Sequence, residues 1–297
     1  MQKKQVPLFR EDAKRAREII DRFLENTSIE FNKYNNLPSS NSIAIQEKQT
    51  FSMPKLVEDA HYSGSLSIEA AADHFMAFTD LITEPVKTLA PFTCIRGLLE
   101  SSALAIWLLD PKIDVDSRIK RCFAFRYKGF IEQIKYSRLI KNVTSEEKIL
   151  ERIKLKNEKA KLLGYSEILD KKGNISAIGQ HMPSIVELIE LTLNGEKDYR
   201  ILSAVAHGQH WAMFQIGFRV IEVKQPDGST TKTLEKSLNS ELVFYLISIA
   251  FPAFAKALWH LWQLYGWDLQ EIKNLLDSTA NELNYNLKLR FWHYLSL

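Results

Sequence analysis

Hydrophobic residues recur every three to four positions along most of this chain, with charged residues between them. Between residues 8 and 34 they include Phe9, Ala13, Ile20 and Phe23, at the spacing of an amphipathic helix. Comparable patterns follow over 67–82, 91–110, 114–141, 144–164, 183–193, 200–207, 240–266 and from 268 onward. The pattern therefore predicts a mainly α protein, a multi-helix bundle of about nine helices.

Three regions depart from the helical pattern. Residues 35–64 lose the periodicity and open with the turn-forming segment 35–42, which predicts a loop. Residues 165–182 are also expected to be irregular. Residues 216–223 and 230–234 are rich in β-branched residues and flank a Pro-Asp-Gly turn, which predicts one small β-hairpin within 212–235. We therefore expect an N-terminal helix and loop extension over 1–64 and a helical domain over 65–297 that contains the hairpin.

The most apolar part of the chain is 242–264. Its uncharged run ends at Ala255, contains Pro252 and is followed by Lys256 and His260. A membrane-spanning helix needs about 20 predominantly apolar residues. The shorter run favours a buried core helix with a kink at Pro252. The aromatic segment 290–294 is expected to dock on the protein.

Composition narrows the class of protein. Hydrophobic residues make up 45% and charged residues 25%, which is typical of a soluble globular protein. A net charge of +3 does not by itself predict a nucleic-acid partner. Cys94 and Cys122 form no CxxC pair, and no apolar signal region follows the N-terminus, which favours a reducing cytoplasm. Without a GxGxxG, P-loop or G-x-S-x-G motif we expect no nucleotide cofactor and no serine hydrolase.

Candidate chemistry centres on residues 198–211. Arg200, Ser203 and His207 fall on one helix face, because seven residues make almost two turns. Tyr199 lies beside them, and Gly208 is the expected helix end. An arginine that precedes a histidine on one face can hold a phosphate while the histidine transfers a proton.

A second polar stripe lies in the helix predicted from residue 91. Arg96 and Glu100 are four residues apart and can pair, in mostly apolar surroundings. Small residues that would allow close helix packing follow at Ser101, Ser102, Ala103 and Ala105. Two interpretations remain open: a functional site shared with the 200–207 face, or a structural network. In the structural interpretation Arg200 pairs with Asp198 or Glu100, and His207 is a histidine near the core.

A metal site is a weaker hypothesis. His207 and His210 form an HxxH pair, and Glu100 is a potential third ligand. Gly208 is expected to break the helix between the two histidines, and neither histidine belongs to a Glu-x-x-His motif of the di-iron bundle type. We therefore expect no metal and no cofactor.

The helix predicted over 114–141 is the best nucleic-acid candidate. Its cations, opposed only by Glu132, are Arg118, Lys120, Arg121, Arg126, Lys128, Lys135, Arg138 and Lys141. Interleaved aromatic residues offer stacking surfaces for bases. In the alternative the basic face is solvated and the aromatic residues belong to the core. Arg118 and Arg121 are expected to face inward.

Two segments of the chain contain motifs that resemble those of other proteins. Residues 96–111 show Arg-x-x-Leu-Glu-x-x-Ala and Trp-Leu-Leu-Asp-Pro, and residues 199–208 show Tyr-Arg-x-Leu-Ser-x-x-x-His-Gly. Both are similar to motifs of a group of bacterial all-helical proteins. The second also resembles the Arg-x(4–6)-His signature of the HEPN superfamily. That resemblance implies a helical bundle, often dimeric, and a metal-independent ribonuclease of a toxin or phage-defence type.

The leading hypothesis is therefore a HEPN-like endoribonuclease that acts on RNA, possesses no cofactor and forms a homodimer. His207 would transfer a proton, Arg200 would stabilise the phosphorane charge, and Glu100 would orient one of them. The expected substrate-binding residues are Arg96, Arg118, Arg121, Ser203, Tyr199 and His210. The competing hypothesis is a non-enzymatic interaction protein whose polar network is structural.

Overall fold

A computed structural model describes residues 5–171, 173, 175–235 and 238–287. Within them the chain forms eleven helices and two small antiparallel sheets, which confirms the predicted mainly α fold with a β-hairpin. The helices are α1 Gln5–Lys33, α2 Ile43–Thr50, α3 Pro54–Ile82, α4 Ala90–Leu108, α5 Val115–Leu139, α6 Val143–Leu162, α7 Ile185–Leu193, α8 Glu196–Ala206, α9 His210–Gln215, α10 Ser240–Tyr265 and α11 Leu269–Leu287. The strands are β1 Glu167–Leu169, β2 Ile175–Ile178, β3 Arg219–Lys224 and β4 Thr230–Glu235.

Helix α10 lies at the centre of the main core. It packs against α1, α2, α3, α4 and α11, and Phe251, Leu258 and Trp262 are completely buried. Among the described helices α10 alone is long and apolar enough to cross a membrane, yet 56% of that apolar window is buried inside the protein. The segment thus forms the buried core helix that its uncharged length predicts. Pro252 lies inside this helix.

The loop predicted over 35–64 is wrong, because most of it is helical. Helix α2 occupies part of it, and the Ser42 hydroxyl caps that helix by accepting a hydrogen bond from the Ile45 backbone N–H at 3.3 Å. Helix α3 begins at Pro54 instead of residue 67, so the expected boundary between residues 64 and 65 falls inside a helix. The eight residues of α2 bury only Ala44 and Glu47, too few apolar positions to produce a helical pattern.

Smaller differences from the predicted elements concern the two hairpins and the start of α6. Residues 165–182, expected to be irregular, contain a second hairpin in which Glu167 pairs with Ile178. The capping box expected at 144–147 is wrong, because α6 begins earlier and is capped by the Asn142 side chain. The predicted hairpin within 212–235 is confirmed, with Val220 opposite Leu234, although residues 212–215 of that range belong to α9. The aromatic segment 290–294 lies outside the described residues.

Candidate functional site

Helix α8 presents its polar edge to α4 because its apolar face is buried. Leu202 and Val205 are at most 1% exposed, and Tyr199 is 4% exposed. With this face buried, Arg200 and His207 are exposed to solvent. Helix α8 packs directly on α4, so the two polar stripes expected from the sequence meet along this contact.

Four side chains form a connected cluster there. Arg96 Nε lies 2.9 Å from Glu100 Oε1, so the pair expected from the i,i+4 spacing is present. The Tyr199 hydroxyl donates to the same Glu100 oxygen at 2.9 Å. Arg96 Nη1 lies 3.3 Å from His207 Nε2, and its guanidinium carbon lies 5.6 Å from the centre of the Tyr199 ring. We call these four residues the α4–α8 cluster.

The charged groups of the α4–α8 cluster determine which of its side chains donate hydrogen bonds and which accept them. A guanidinium only donates hydrogen bonds, so the contact between Arg96 and His207 is a hydrogen bond in the tautomer whose Nε2 accepts. Burial, together with the Glu100 carboxylate, raises the pKa of Tyr199, so its phenol stays protonated and continues to donate. The side chains of Arg96 and Glu100 are 26% and 33% exposed, and His207 lies at the surface. The cluster is therefore accessible from solvent.

The other predicted residues of α8 lie around this cluster without joining it. Arg200 pairs with Glu196, with Nε 2.7 Å from Oε1, so the alternative pairing with Asp198 or Glu100 is wrong. Asp198 instead accepts a hydrogen bond from the Tyr245 hydroxyl at 2.8 Å. Ser203 is half-buried on the same helix.

His210 belongs to a different helix. Gly208 has a φ of +67°, a left-handed conformation that glycine adopts without steric cost. Helix α8 consequently ends before it, and α9 begins at His210, which is exposed. The expected helix break between the two histidines is present. Among the described residues no three His, Cys, Asp or Glu side chains gather as metal ligands would.

Arg118 faces inward as predicted, but it is completely buried and lies away from the α4–α8 cluster. Its Nε lies 3.0 Å from both carboxylate oxygens of Glu47. Its terminal nitrogens donate to the backbone carbonyls of Leu108 at 2.7 Å and Asp110 at 2.9 Å. Since its donors are used within the protein and it has no exposed surface, the expected contact with a phosphate has no support from the geometry.

Arg121 is likewise hydrogen-bonded within the protein. Its Nη1 donates to the Trp107 carbonyl at 2.6 Å, and its guanidinium lies 5.4 Å from the centre of the Trp107 ring. Burial lowers the pKa of Arg121. The two arginines thereby hydrogen-bond the last carbonyls of α4, which lack partners within the helix.

The partners of Arg118 are Glu47 and, through it, His61, and neither was among the predicted site residues. Glu47 accepts from Arg118 and lies 2.9 Å from Nε2 of His61, and all three side chains are buried. Both new residues fall in the segment expected to be a loop. Recognising that a mostly buried Arg118 needs an acidic partner would have directed the search to Glu47.

Helix α5 offers little of the stacking surface that a nucleic-acid site would use. Phe123 and Tyr127 are buried in a second core cluster with Tyr165 of the β1–β2 region. Phe130 is also buried, whereas Tyr136 is 63% exposed. Several of its cations are in ion pairs: Lys120 with Asp116, Lys135 with Glu132 and Arg138 with Glu146. The geometry favours the alternative, a solvated basic face with core aromatics.

Fold and site together define a mainly α-helical protein with an Arg–Glu–Tyr–His cluster at a helix–helix contact. No family model, no curated protein and no solved structure matches this chain. The function is therefore inferred from the geometry of the α4–α8 cluster.

Proposed function

We propose that this chain is a HEPN-like, metal-independent endoribonuclease and that the α4–α8 cluster is its active site. The observation that carries the proposal is the 3.3 Å contact between Arg96 Nη1 and His207 Nε2 at a solvent-accessible position. An unprotonated imidazole nitrogen beside a guanidinium is the pairing that a phosphate transfer needs, a base next to a stabiliser of negative charge. A network that served packing alone would not need to reach solvent.

In the proposed reaction, Arg96 Nη1 leaves His207 for the phosphate, and the freed lone pair of His207 Nε2 takes the proton of a ribose 2′-hydroxyl. The 2′-oxygen then attacks the adjacent phosphorus, a 2′-O–P bond forms and the P–5′-O bond breaks. The 5′-oxygen leaves with a proton from solvent, which gives a 2′,3′-cyclic phosphate and a free 5′-hydroxyl. Arg96 stabilises the phosphorane charge, and Glu100 orients Arg96 through the 2.9 Å contact with its Nε.

Arg200 receives a different role from the one expected from its position in the motif. It precedes His207 by seven residues, about 10 Å along a helix axis, and its side chain is 63% exposed. We propose that Arg200 binds a neighbouring phosphate of the RNA, and that a homodimer places two such faces along one strand.

The proposal predicts which substitutions abolish cleavage. Single-stranded RNA is incubated in EDTA with the wild-type protein and with His207→Ala, Arg96→Ala, Arg200→Ala and His181→Ala. We expect a rate loss of about 100-fold or more for His207→Ala and Arg96→Ala, and less than about tenfold for Arg200→Ala. His181 is a matched control, because it is exposed and lies outside the cluster.

Thermal unfolding of each variant separates catalysis from folding. Equal cleavage by His207→Ala and His181→Ala would refute the nuclease proposal. The competing proposal is a non-enzymatic interaction protein in which Glu100, by joining Arg96 to Tyr199, fixes α8 on α4. Absence of cleavage, with a large loss of melting temperature in Arg96→Ala and His207→Ala, would favour that competitor.

A further inference from the structure

A second candidate site lies in an open groove between α1 and α3, floored by α10. Its volume is about 920 Å³, at the upper end of the roughly 300–1,000 Å³ of small-molecule sites. None of the residues of the α4–α8 cluster lines it. The groove is therefore a separate site, independent of the proposed nuclease activity.

The groove is rich in aromatic rings, contributed by three different parts of the fold. The aromatic lining residues are Phe31, Tyr62, Phe254, Tyr265 and Trp267. Tyr62 is 64% exposed at the rim, whereas Phe254 is 1% exposed at the floor. The faces of such rings carry partial negative charge and attract cations that come within about 6 Å of the ring centre.

The charged groups of the groove are mostly acidic. Lys48 is the one basic residue among its lining residues, and it is already paired with Glu58. Asp21 pairs with Arg17. Glu25 and Glu69 are exposed lining residues that have no ion-pair partner within the part of the chain that the structure describes. Two carboxylates thus remain for a positively charged ligand.

His61, which also lines the groove, does not oppose this charge. Its ring centre lies 6.1 Å from that of Tyr265, and its Nε2 lies 2.9 Å from the Glu47 carboxylate. Burial lowers the pKa of His61 although Glu47 acts in the opposite direction, so the imidazole is neutral near pH 7. His61 consequently adds no positive charge to the groove, and the one basic lining residue, Lys48, is neutralised by its ion pair with Glu58.

We propose that this groove binds a small organic cation, an amine or quaternary ammonium ion with an apolar body. The apolar body would lie on the floor formed by α10, and the ammonium group would lie among the aromatic rings near Glu25 and Glu69. The combination of exposed carboxylates and aromatic faces selects a cation over an anion of the same length.

The test compares octyltrimethylammonium with octanoate, which share an eight-carbon chain and differ in charge. Binding to the full chain is measured by isothermal titration calorimetry below the concentrations at which either probe forms micelles. We expect saturable binding of the ammonium probe, at least about tenfold tighter than that of octanoate. Glu25→Gln and Glu69→Gln are each expected to weaken it by roughly three- to tenfold.

Two further variants make the result specific to the groove. Met76, 47% exposed at the groove, accommodates a lysine without disturbing the core, and Met76→Lys is expected to abolish binding of the ammonium probe. Glu151→Gln removes a carboxylate from α6, outside the groove, and is expected to leave binding unchanged. Equal affinity for the two probes, no binding of either, or insensitivity to Met76→Lys would overturn the proposal. RNA cleavage is not part of this readout, so either proposal can fail alone.

Discussion

Arg118 is among the largest completely buried side chains of the described residues, and its position explains much of the polar interior. A buried guanidinium must be paired and its remaining donors satisfied. Glu47 provides the charge, and two backbone carbonyls at the end of α4 accept the other donors. Burial tends to raise the pKa of Glu47, but the hydrogen bonds from His61 and Arg118 and the charge of Arg118 outweigh it, so the pKa is lowered.

Two histidines, the buried His61 and the half-buried His260, predict how stability depends on pH. Burial lowers the pKa of His61, and it lowers that of His260 to about 4. Because histidines of the unfolded chain take up protons at their ordinary pKa of 6.5, the unfolded chain binds more protons than the folded state below that pH. The two histidines therefore do not reduce the free energy of unfolding above about pH 6.5. Below that pH the free energy of unfolding falls as the pH decreases, by up to about 1.4 kcal/mol per pH unit for each histidine.

Urea unfolding of the wild-type protein and of three variants, measured at several pH values from 7 to 4, checks this dependence. His61→Gln and His260→Gln should each remove part of this loss of stability. His181→Gln alters an exposed histidine and should retain the wild-type slope. A wild-type stability that does not change over this pH range would contradict the lowered pKa values of His61 and His260.

At the scale of elements, the close contact between α3 and α4 depends on a small residue. A Cβ at Gly64 of α3 would overlap the side chain of Leu109, which is completely buried just after α4. The contact brings together the helices that carry His61 and Arg96. A glycine inside a helix costs stability, so its presence here is explained by this close approach.

Gly64→Ala is therefore expected to destabilise the protein by about 1–3 kcal/mol, the usual cost of overpacking a core. Gly129→Ala in α5 is the matched control, because an added Cβ there meets no atom within 4 Å. That variant should gain about 0.5–1 kcal/mol from improved helix propensity. Chemical denaturation of both variants provides the comparison, and loss of stability of the same size in both would refute the packing argument.

At the scale of the whole molecule, α1 is part of the main core. The Phe23 ring centre lies 5.2 Å from that of Phe251 and 6.1 Å from that of Phe254, both on α10. Helix α1 also contacts α3 and α11. These contacts predict that residues 1–64 and the remaining chain unfold together.

Phe23→Ala should lower the free energy of unfolding by about 3–5 kcal/mol while the transition remains a single one. Tyr285→Ala, at a side chain that is 88% exposed, should change it by less than about 0.5 kcal/mol. Differential scanning calorimetry distinguishes the outcomes, since two separate transitions in the wild-type protein would contradict a shared core.

The sequence by itself determined the elements with strong local patterns. Helical periodicity predicted α1, α4, α5 and α10, and β-branched residues around a Pro-Asp-Gly turn predicted the β3–β4 hairpin. It also predicted the pair of Arg96 with Glu100, because an i,i+4 contact depends on helix geometry alone. Each of these features is encoded within a few consecutive residues.

Tertiary structure alone decided which distant groups meet. Helix α2 is short and has little apolar surface, so its helical state depends on burial of Glu47 against Arg118. His207 lies beside Arg96 instead of Arg200 because the packing of α8 on α4 sets the rotation of both helices. The groove between α1 and α3 likewise has no local sequence pattern, since its walls come from segments more than 200 residues apart. Long-range packing leaves no periodic trace in a single sequence, and for that reason these features required the folded molecule.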